Sequence, residues 1–389
     1  MRRLPPCLLL CLSALTLLLG CADMKASSAK QQYALASDRG VGDPEIVSVL
    51  SAVRARTGVP AMAAGVVTSQ GLQKVAAVGT RKAGTDVPVT LDDLWHLGSN
   101  TKIMTSTIVA QLIDQGRLTW TTTVSEVFPD LASGFDPAAR SITILQLLSH
   151  VAGLPRNIDY SAISSSISIR AQRIEAVKMG LHAKPLSAPG TAYLYSNLGY
   201  IIVGAIIEKV LDTDWEAAIT RNVFIPLKMS SAGFGGLGTP DRIDQPWGHT
   251  PGNKPVNGNG PDVDNPQVLG PAGRVHCSIQ DWALFVADQL RGARGQPGLL
   301  KPAEYEVLQT THFRGDYALG WVVANRDWAG GKALTHIGSN TMYLAVAWVA
   351  PAKDFAILVC TNQGLDSFAA ANEVVSKIII TIAARQYGK

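Results

Sequence analysis

The order of hydrophobic periodicities constrains this chain most. Strand-like runs stand near its beginning and again near its end, and helical periodicity fills the long stretch between. A helix with Ile46, Val49, Leu50 and Val53 on one face is followed by two strand-like runs, 61–68 and 72–78, joined by the turn-prone Ser69-Gln70-Gly71. That spacing predicts a hairpin. From Ser99 to about Gly236 the period is helical, clearest over 142–148 and 200–210, and a further helix is expected over 281–290. Strand candidates then recur at 317–325, 333–337, 342–349 and 355–361, and a helix over 368–386 closes the chain. Such an order predicts an α/β chain of the α+β type. One antiparallel sheet is assembled from both ends, flanked by the N- and C-terminal helices, and carries a large, mostly helical insertion. The sheet part is expected at about 44–98 and 310–389, the helical part at about 99–309, with a ligand cleft between them. The Gly- and Pro-rich stretch 235–273 reads as a long surface excursion that forms one rim of that cleft.

The first 21 residues differ from all that follow. Arg2 and Arg3 make a basic start, and the apolar run 8–19 is too short to cross a bilayer comfortably, so the segment reads as an export signal. It ends in Leu18-Leu19-Gly20-Cys21, which looks like a bacterial lipobox and makes Cys21 the expected lipidation site; the alternative is a plain secretory signal cut elsewhere. Residues 22–43, rich in Ala, Ser, Lys and Gln, would then tether a folded domain, 44–389, to a membrane surface. Cys277 and Cys360 are the cysteines left in that domain, either as a disulfide or as buried thiols. A net charge of +4, without a long Lys/Arg block, speaks against nucleic acid as a partner.

Ser99 and Lys102 stand three residues apart at the head of the first helix of the insertion, so they share a face. A serine hydroxyl is not a nucleophile near neutral pH unless a neighbouring base takes its proton, and a lysine kept neutral by burial is such a base. The same spacing occurs at Ser27 and Lys30, but that pair lies in the tether, where no pocket could fix it. Tyr195-Ser196-Asn197 lies between Pro189-Gly190 and a helix starting near Leu198, so Tyr195 and Asn197 can point the same way. His336-Ile337-Gly338-Ser339 ends a late strand candidate. His96-Leu97-Gly98 has the same His-x-Gly form but abuts Ser99 and cannot face it across a cleft. Gly233 to Gly238 matches a dinucleotide fingerprint without its strand and helix, and no Gly-x-Ser-x-Gly or His-Glu-x-x-His occurs. No metal site and no cofactor are expected.

Ser-x-x-Lys, then Tyr-x-Asn, then His-x-Gly on a late strand resembles the penicillin-recognising serine hydrolases. The likeness is greatest to their branch of class C β-lactamases, D-alanyl-D-alanine carboxypeptidases and related esterases. Leu147 to Pro155 (LLSHVAGLP), Tyr317 to Trp321 (YALGW) and Gly270 to Gly273 (GPAG) are similar to further segments of that family, and the resemblance runs over about 46–385. It implies a β-lactamase/transpeptidase-like fold and a serine hydrolase that works through an acyl-serine intermediate on an ester or amide. Ser99 would be the nucleophile, with Lys102 and Tyr195 sharing the role of base. Asn197, His336, Gly338 and Ser339 would line the substrate site, with the Ser99 and Ser339 backbone N–H groups as oxyanion hole. Gly338 is expected to keep the strand edge open to substrate.

His336 replaces the lysine found in many relatives, and Ile337 stands where carboxylate-binding members carry a threonine. Without that hydroxyl a hydrogen bond to a substrate carboxylate is lost, so esters are favoured over β-lactams. The alternatives are a β-lactamase or peptidoglycan DD-peptidase proper, and a non-catalytic homologue that binds peptidoglycan fragments or a partner. The expected partners are thus a small ester or amide, or a peptidoglycan-type peptide, and a membrane through the lipid anchor.

Overall fold

A computed structural model describes residues 40–256 and 263–387. The export signal, Cys21 and the tether up to residue 39 lie outside the described residues. The N-terminal part gives β1 (Val41–Gly42), α1 (Pro44–Thr57), β2 (Ala61–Thr68), β3 (Gly71–Gly79) and β4 (Leu94–His96). The middle contributes α2 (Thr101–Asp114), α3 (Ile144–Leu148), α4 (Ile169–His182), α5 (Asn197–Leu211), β5 (Gly233–Phe234), β6 (Val275–Ser278) and α6 (Ile279–Ala293). At the end come β7 (Val322–Arg326), β8 (Gly331–Ser339), β9 (Leu344–Ala350), β10 (Phe355–Thr361) and α7 (Phe368–Tyr387).

Seven strands form one antiparallel sheet in the order β1-β3-β2-β10-β9-β8-β7. Its central strand pair, β2 with β10, joins the two ends of the chain, and Met62 lies opposite Thr361. Both faces are covered, which explains why these strands read as continuous apolar runs. On one face Met62, Ala64, Ile357 and Val359 pack with Ile46, Leu50 and Val53 of α1 and with Val374 and Ile378 of α7. On the other Ala61, Ala63, Leu358 and Cys360 join Trp282, Phe285 and Val286 of α6. The two-residue period of a strand thus feeds two cores, each large apolar side chain contributing about 1.5–3 kcal/mol by its burial.

The insertion is built around α2, which is buried along nearly its whole length. A helix so enclosed must satisfy its polar side chains internally. Ser106 and Thr107 donate to the Lys102 and Ile103 carbonyls, Thr105 donates to the Pro271 carbonyl, and Thr101 accepts from Val275 N. Beside it, α4 and α5 are tied by Arg173, fully buried, which donates to Glu208 and, at 2.5 Å, to Glu216.

Two local expectations change. Residues 317–321 form a tight turn closed by Ala318 N donating to the Trp321 carbonyl, and the strand begins only at Val322. Periodicity alone could not separate the two, because Ala318, Leu319 and Trp321 are as buried as strand residues. A second, three-stranded sheet, β4-β6-β5, runs through the rim of the cleft, its strands too short to carry a readable period. Cys277 and Cys360 are free thiols, both buried.

Arg173 fixes one measurable expectation. Arg173→Met would leave Glu208 buried without its cation, and stability to urea should fall by about 3–5 kcal/mol; an unchanged midpoint would contradict the buried ion pair.

Candidate active site

The Ser99 turn is held by backbone pressed on backbone. A short 3-10 turn, Gly98–Asn100, precedes α2, and Asn100 Nδ2 donates to the Leu97 carbonyl at 3.1 Å and the Ala345 carbonyl at 3.0 Å. Gly98 has φ +50, and a Cβ on it would come 2.3 Å from Ser339 N. Across the same contact, a Cβ on Gly338 would lie 1.9 Å from the Leu97 carbonyl oxygen and 2.7 Å from Ser99 N. Gly338 is therefore a glycine because β8 packs directly on the serine turn, and not to keep the strand edge open to substrate as its position suggested. Beyond Thr335 the β7 side of β8 is unpaired, which leaves the edge from His336 to Ser339 beside Ser99.

One turn into the helix, Lys102 brings its amine to 3.1 Å from Ser99 Oγ, 2.8 Å from Asn197 Oδ1 and 2.6 Å from the Ala272 carbonyl oxygen. The side chain is fully buried, and among the described residues no carboxylate pairs with it. Burial without a counterion, aided by the charge of Arg156, pushes the ammonium well below its ordinary pKa of 10.5. Tyr195 Oη donates to Ser99 Oγ at 2.9 Å. Burial raises this phenol to about 12, although its bond to Ser99 and the charge of Arg156 pull the other way. At neutral pH the phenol keeps its proton.

Asn197 opens α5, whose first turn is capped by Ser196 Oγ accepting from Gly199 N. The segment is clamped from below. Ser196 Oγ donates to the Pro155 carbonyl at 2.7 Å, Asn197 N donates to the Arg156 carbonyl at 2.9 Å, and Asn197 Nδ2 donates to Asn157 Oδ1 at 2.9 Å.

Beneath lies an aromatic cluster. His150 Nδ1 accepts from Ser196 N at 3.0 Å, and its ring sits 4.2 Å from that of Tyr195 and 4.5 Å from that of Tyr317. Burial pushes this imidazole well below 6.5 with the nearby cations adding to the effect, so it is neutral with its hydrogen on Nε2. It holds φ at +60, a left-handed conformation unusual for a residue with a side chain.

His336 is buried, its Nε2 lying 3.2 Å from Tyr317 Oη. Burial and the charge of Lys102 push it down to about 3, so it supplies no cation to the cleft. Ile337, 39% exposed, is the β8 side chain that faces open space beside the site. The Ser339 hydroxyl donates to the Tyr343 carbonyl at 2.6 Å and accepts from Thr341 N, so it is occupied by its own turn. What Ser339 can offer a substrate is its backbone N–H.

Ser99, Lys102, Tyr195 and Asn197 thus meet in one hydrogen-bonded group, with β8 alongside. The sequence reading gave no role to His150, Arg156, Tyr317 or the Ala272 carbonyl. His150, Tyr317 and Ala272 stood in stretches similar to family segments, whereas Arg156 carried no pattern at all. His96, set aside as a decoy, is a brace. Its Nδ1 accepts from Gly98 N, and its Nε2 meets Asp264 at 3.0 Å. Burial works against the Asp264 carboxylate, but His96, Asn340 and Arg274 together hold its pKa down to about 2. This pins the 235–273 excursion to the serine turn.

Comparison with known proteins agrees with this geometry. The Beta-lactamase family model matches residues 46–378. Penicillin-binding protein 4 of Amycolatopsis lactamdurans is 25% identical over 340 residues, 81% of this chain and 84% of that protein. Protein flp of Staphylococcus aureus (strain COL) is 25% identical over 275 residues, 69% of this chain but only 52% of flp, so the chain spans about half the length of that relative. Among solved structures, the octameric penicillin-binding protein homologue from Pyrococcus abyssi superposes with a TM-score of 0.69 at 19% identity, covering 86% of this chain and 76% of that one. D-alanine carboxypeptidase AmpC from Burkholderia cenocepacia gives 0.68 at 20% identity, covering 86% and 98%. Both likenesses show the β-lactamase/penicillin-binding-protein fold.

Proposed function

Since this chain belongs to the β-lactamase family, we propose that it is a serine acyl hydrolase in which Ser99 is the nucleophile, Lys102 the general base of acylation, and short-chain esters the favoured substrates. One observation carries this reading, the closed set of hydrogen bonds around Lys102. A neutral amine has two N–H groups and one lone pair. Asn197 Oδ1 and the Ala272 carbonyl take the two N–H groups, which leaves the lone pair for the Ser99 hydroxyl at 3.1 Å. With Lys102 as acceptor and the Tyr195 phenol as donor to Ser99 Oγ, every partner is satisfied.

In the proposed reaction Ser99 Oγ attacks the substrate carbonyl carbon while Lys102 takes its proton. Negative charge develops on the former carbonyl oxygen between the Ser99 and Ser339 backbone N–H groups, each such donor being worth about 2.7–4 kcal/mol. Tyr195 passes a proton to the leaving oxygen or nitrogen and is reprotonated by the proton that Lys102 took from Ser99. Water then attacks the acyl-serine, and the same pair takes its proton and returns it to Ser99 Oγ as the acid leaves. Asn197 holds the lysine lone pair on line. His336, Tyr317 and His150 act as positioning groups beneath Tyr195.

The preference for esters rests on Ile337 and on the neutral His336, which together supply neither hydroxyl nor cation where relatives of the resembling branch hold a substrate carboxylate. At the other end of the chain, residues 1–21 and Cys21 support export and lipid anchoring at a bacterial envelope membrane. Among the described residues no helix is long and apolar enough to cross a membrane. Incorporation of labelled palmitate that is lost in Cys21→Ser tests the anchor.

The central test is a panel of p-nitrophenyl acetate and butyrate, a good cephalosporin and a D-alanyl-D-alanine peptide. Wild type should turn over the esters with the highest kcat/KM, form an acyl adduct seen by intact mass, and lose both in Ser99→Ala. A cephalosporin kcat/KM well above that for the esters would overturn the substrate assignment. No adduct with any substrate or with a fluorophosphonate would favour the non-catalytic reading. Because the lysine pKa is depressed, activity should be present above that depressed value and lost as pH falls through it, with the acidic limb well below 10.5. Lys102→Arg, which cannot give up its proton, should cost about 10²–10⁴-fold in acylation; a small loss with the same pH limb would exclude Lys102 as base.

A further inference from the structure

Arg156 stands beside Tyr195, and no hydrogen bond ties its side chain to the Ser99 group among the described residues. It is exposed, and its guanidinium carbon lies 4.9 Å from the centre of the Tyr195 ring. The other face of the arrangement is Tyr195 Oη on Ser99 Oγ, so the cation stands one tyrosine ring from the nucleophile. Its backbone is fixed, because the Arg156 carbonyl accepts from both Asn197 N and Leu198 N. The neighbouring Asn157 bonds the side chain of Asn197, and Tyr193, 46% exposed, flanks the same rim. A long arginine is thereby aimed from a rigid base.

Among the described residues Arg156 makes no ion pair, whereas Arg81, Arg173 and Arg274 each hold a carboxylate. Among the described residues, Arg156 therefore brings a cation without a carboxylate partner to the Tyr195 side of Ser99. On β8, next to His336, Ile337 is an exposed apolar side chain. A planar guanidinium with a free fork of donors matches a carboxylate better than any neutral acyl group.

We propose that Arg156 is a specificity-determining residue that selects acyl groups ending in a carboxylate, so that the favoured substrates are half-esters of short dicarboxylic acids. This inference rests on the acyl-serine reading of the site and names the substrate class within it. An acyl chain of four or five carbons on Ser99 would run past the Tyr195 ring and place its terminal carboxylate against the guanidinium. Ester cleavage then forms the carboxyacyl-serine with release of the alcohol, and water releases the diacid.

The test compares mono-p-nitrophenyl glutarate with p-nitrophenyl butyrate, read as the ratio of their kcat/KM values so that overall activity cancels. Wild type should favour the glutarate by about tenfold or more, as for a hydrogen bond to a charged group. The ratio should drop to about one in Arg156→Gln, recover in part in Arg156→Lys, and shrink in wild type as salt is raised. The main structural bond of this residue is made by its backbone carbonyl, which these substitutions keep. A wild-type ratio near one would overturn the inference. So would equal loss on both esters in Arg156→Gln with a shifted pH profile, which would mean that Arg156 acts only through Tyr195 and Lys102. Fluorophosphonate labelling of Ser99 separates the two levels: a labelled, ester-cleaving enzyme without the preference refutes this inference alone, and an enzyme that is not labelled refutes the acyl-serine reading and this inference with it.

Discussion

A lysine amine buried without a carboxylate is the constraint on which the rest of the site depends. Lys102 lies on a helix enclosed by the fold, and its neighbours are a serine hydroxyl, an asparagine oxygen and a main-chain carbonyl. A low-dielectric surround disfavours the ammonium, and among the described residues no carboxylate pairs with it to restore it. Oxygen acceptors can hold the two N–H groups of a neutral amine but cannot neutralise a charge. The environment therefore selects the form of lysine that can take a proton. This requires three separated segments, carrying residues 99–102, 197 and 272, to meet at one point.

The meeting depends on how the two halves of the molecule touch. The sheet approaches the insertion through β8, and at Gly98 and Gly338 the two backbones are too close for any side chain. That contact places the N–H groups of Ser99 and Ser339 side by side while the helix carrying Lys102 starts in the next residues. On the far side, the loop 155–157 is hydrogen-bonded to the first turn of α5, so Tyr195 and Asn197 move as one piece with Arg156 and Asn157. His96 and Asp264 brace the same turn from the excursion. Ser99 is thus held by strand, helix and loop at once.

Much of the scaffold was legible because it obeys simple periods. The hairpin of β2 and β3, the late strands β8 to β10 and the terminal helices all lie where alternation or helical spacing put them. The sheet's assembly from the two ends followed from their order. The YALGW turn and the short strands β4, β5 and β6 escaped, since a buried turn is as apolar as a buried strand and a strand of two to four residues has no period to read. Gly338 was marked correctly as a glycine with a reason, but its reason was a contact with Leu97 and Ser99, residues more than two hundred positions away.

Order along the chain was enough for the family: the Ser-Lys spacing gave one shared helical face, and Tyr-x-Asn and His-x-Gly after it pointed to the β-lactamase family. Protonation and exposure were decided only by the tertiary structure. That the Lys102 ammonium is pushed well below its ordinary pKa, that His336 is buried and neutral under Tyr317, that the Ser339 hydroxyl is spent on its own turn, and that Arg156 stands beside Tyr195 without a carboxylate among the described residues are all consequences of what lies within a few ångströms in space. Burial and distance set these properties, and both are made by segments that are remote from one another along the chain.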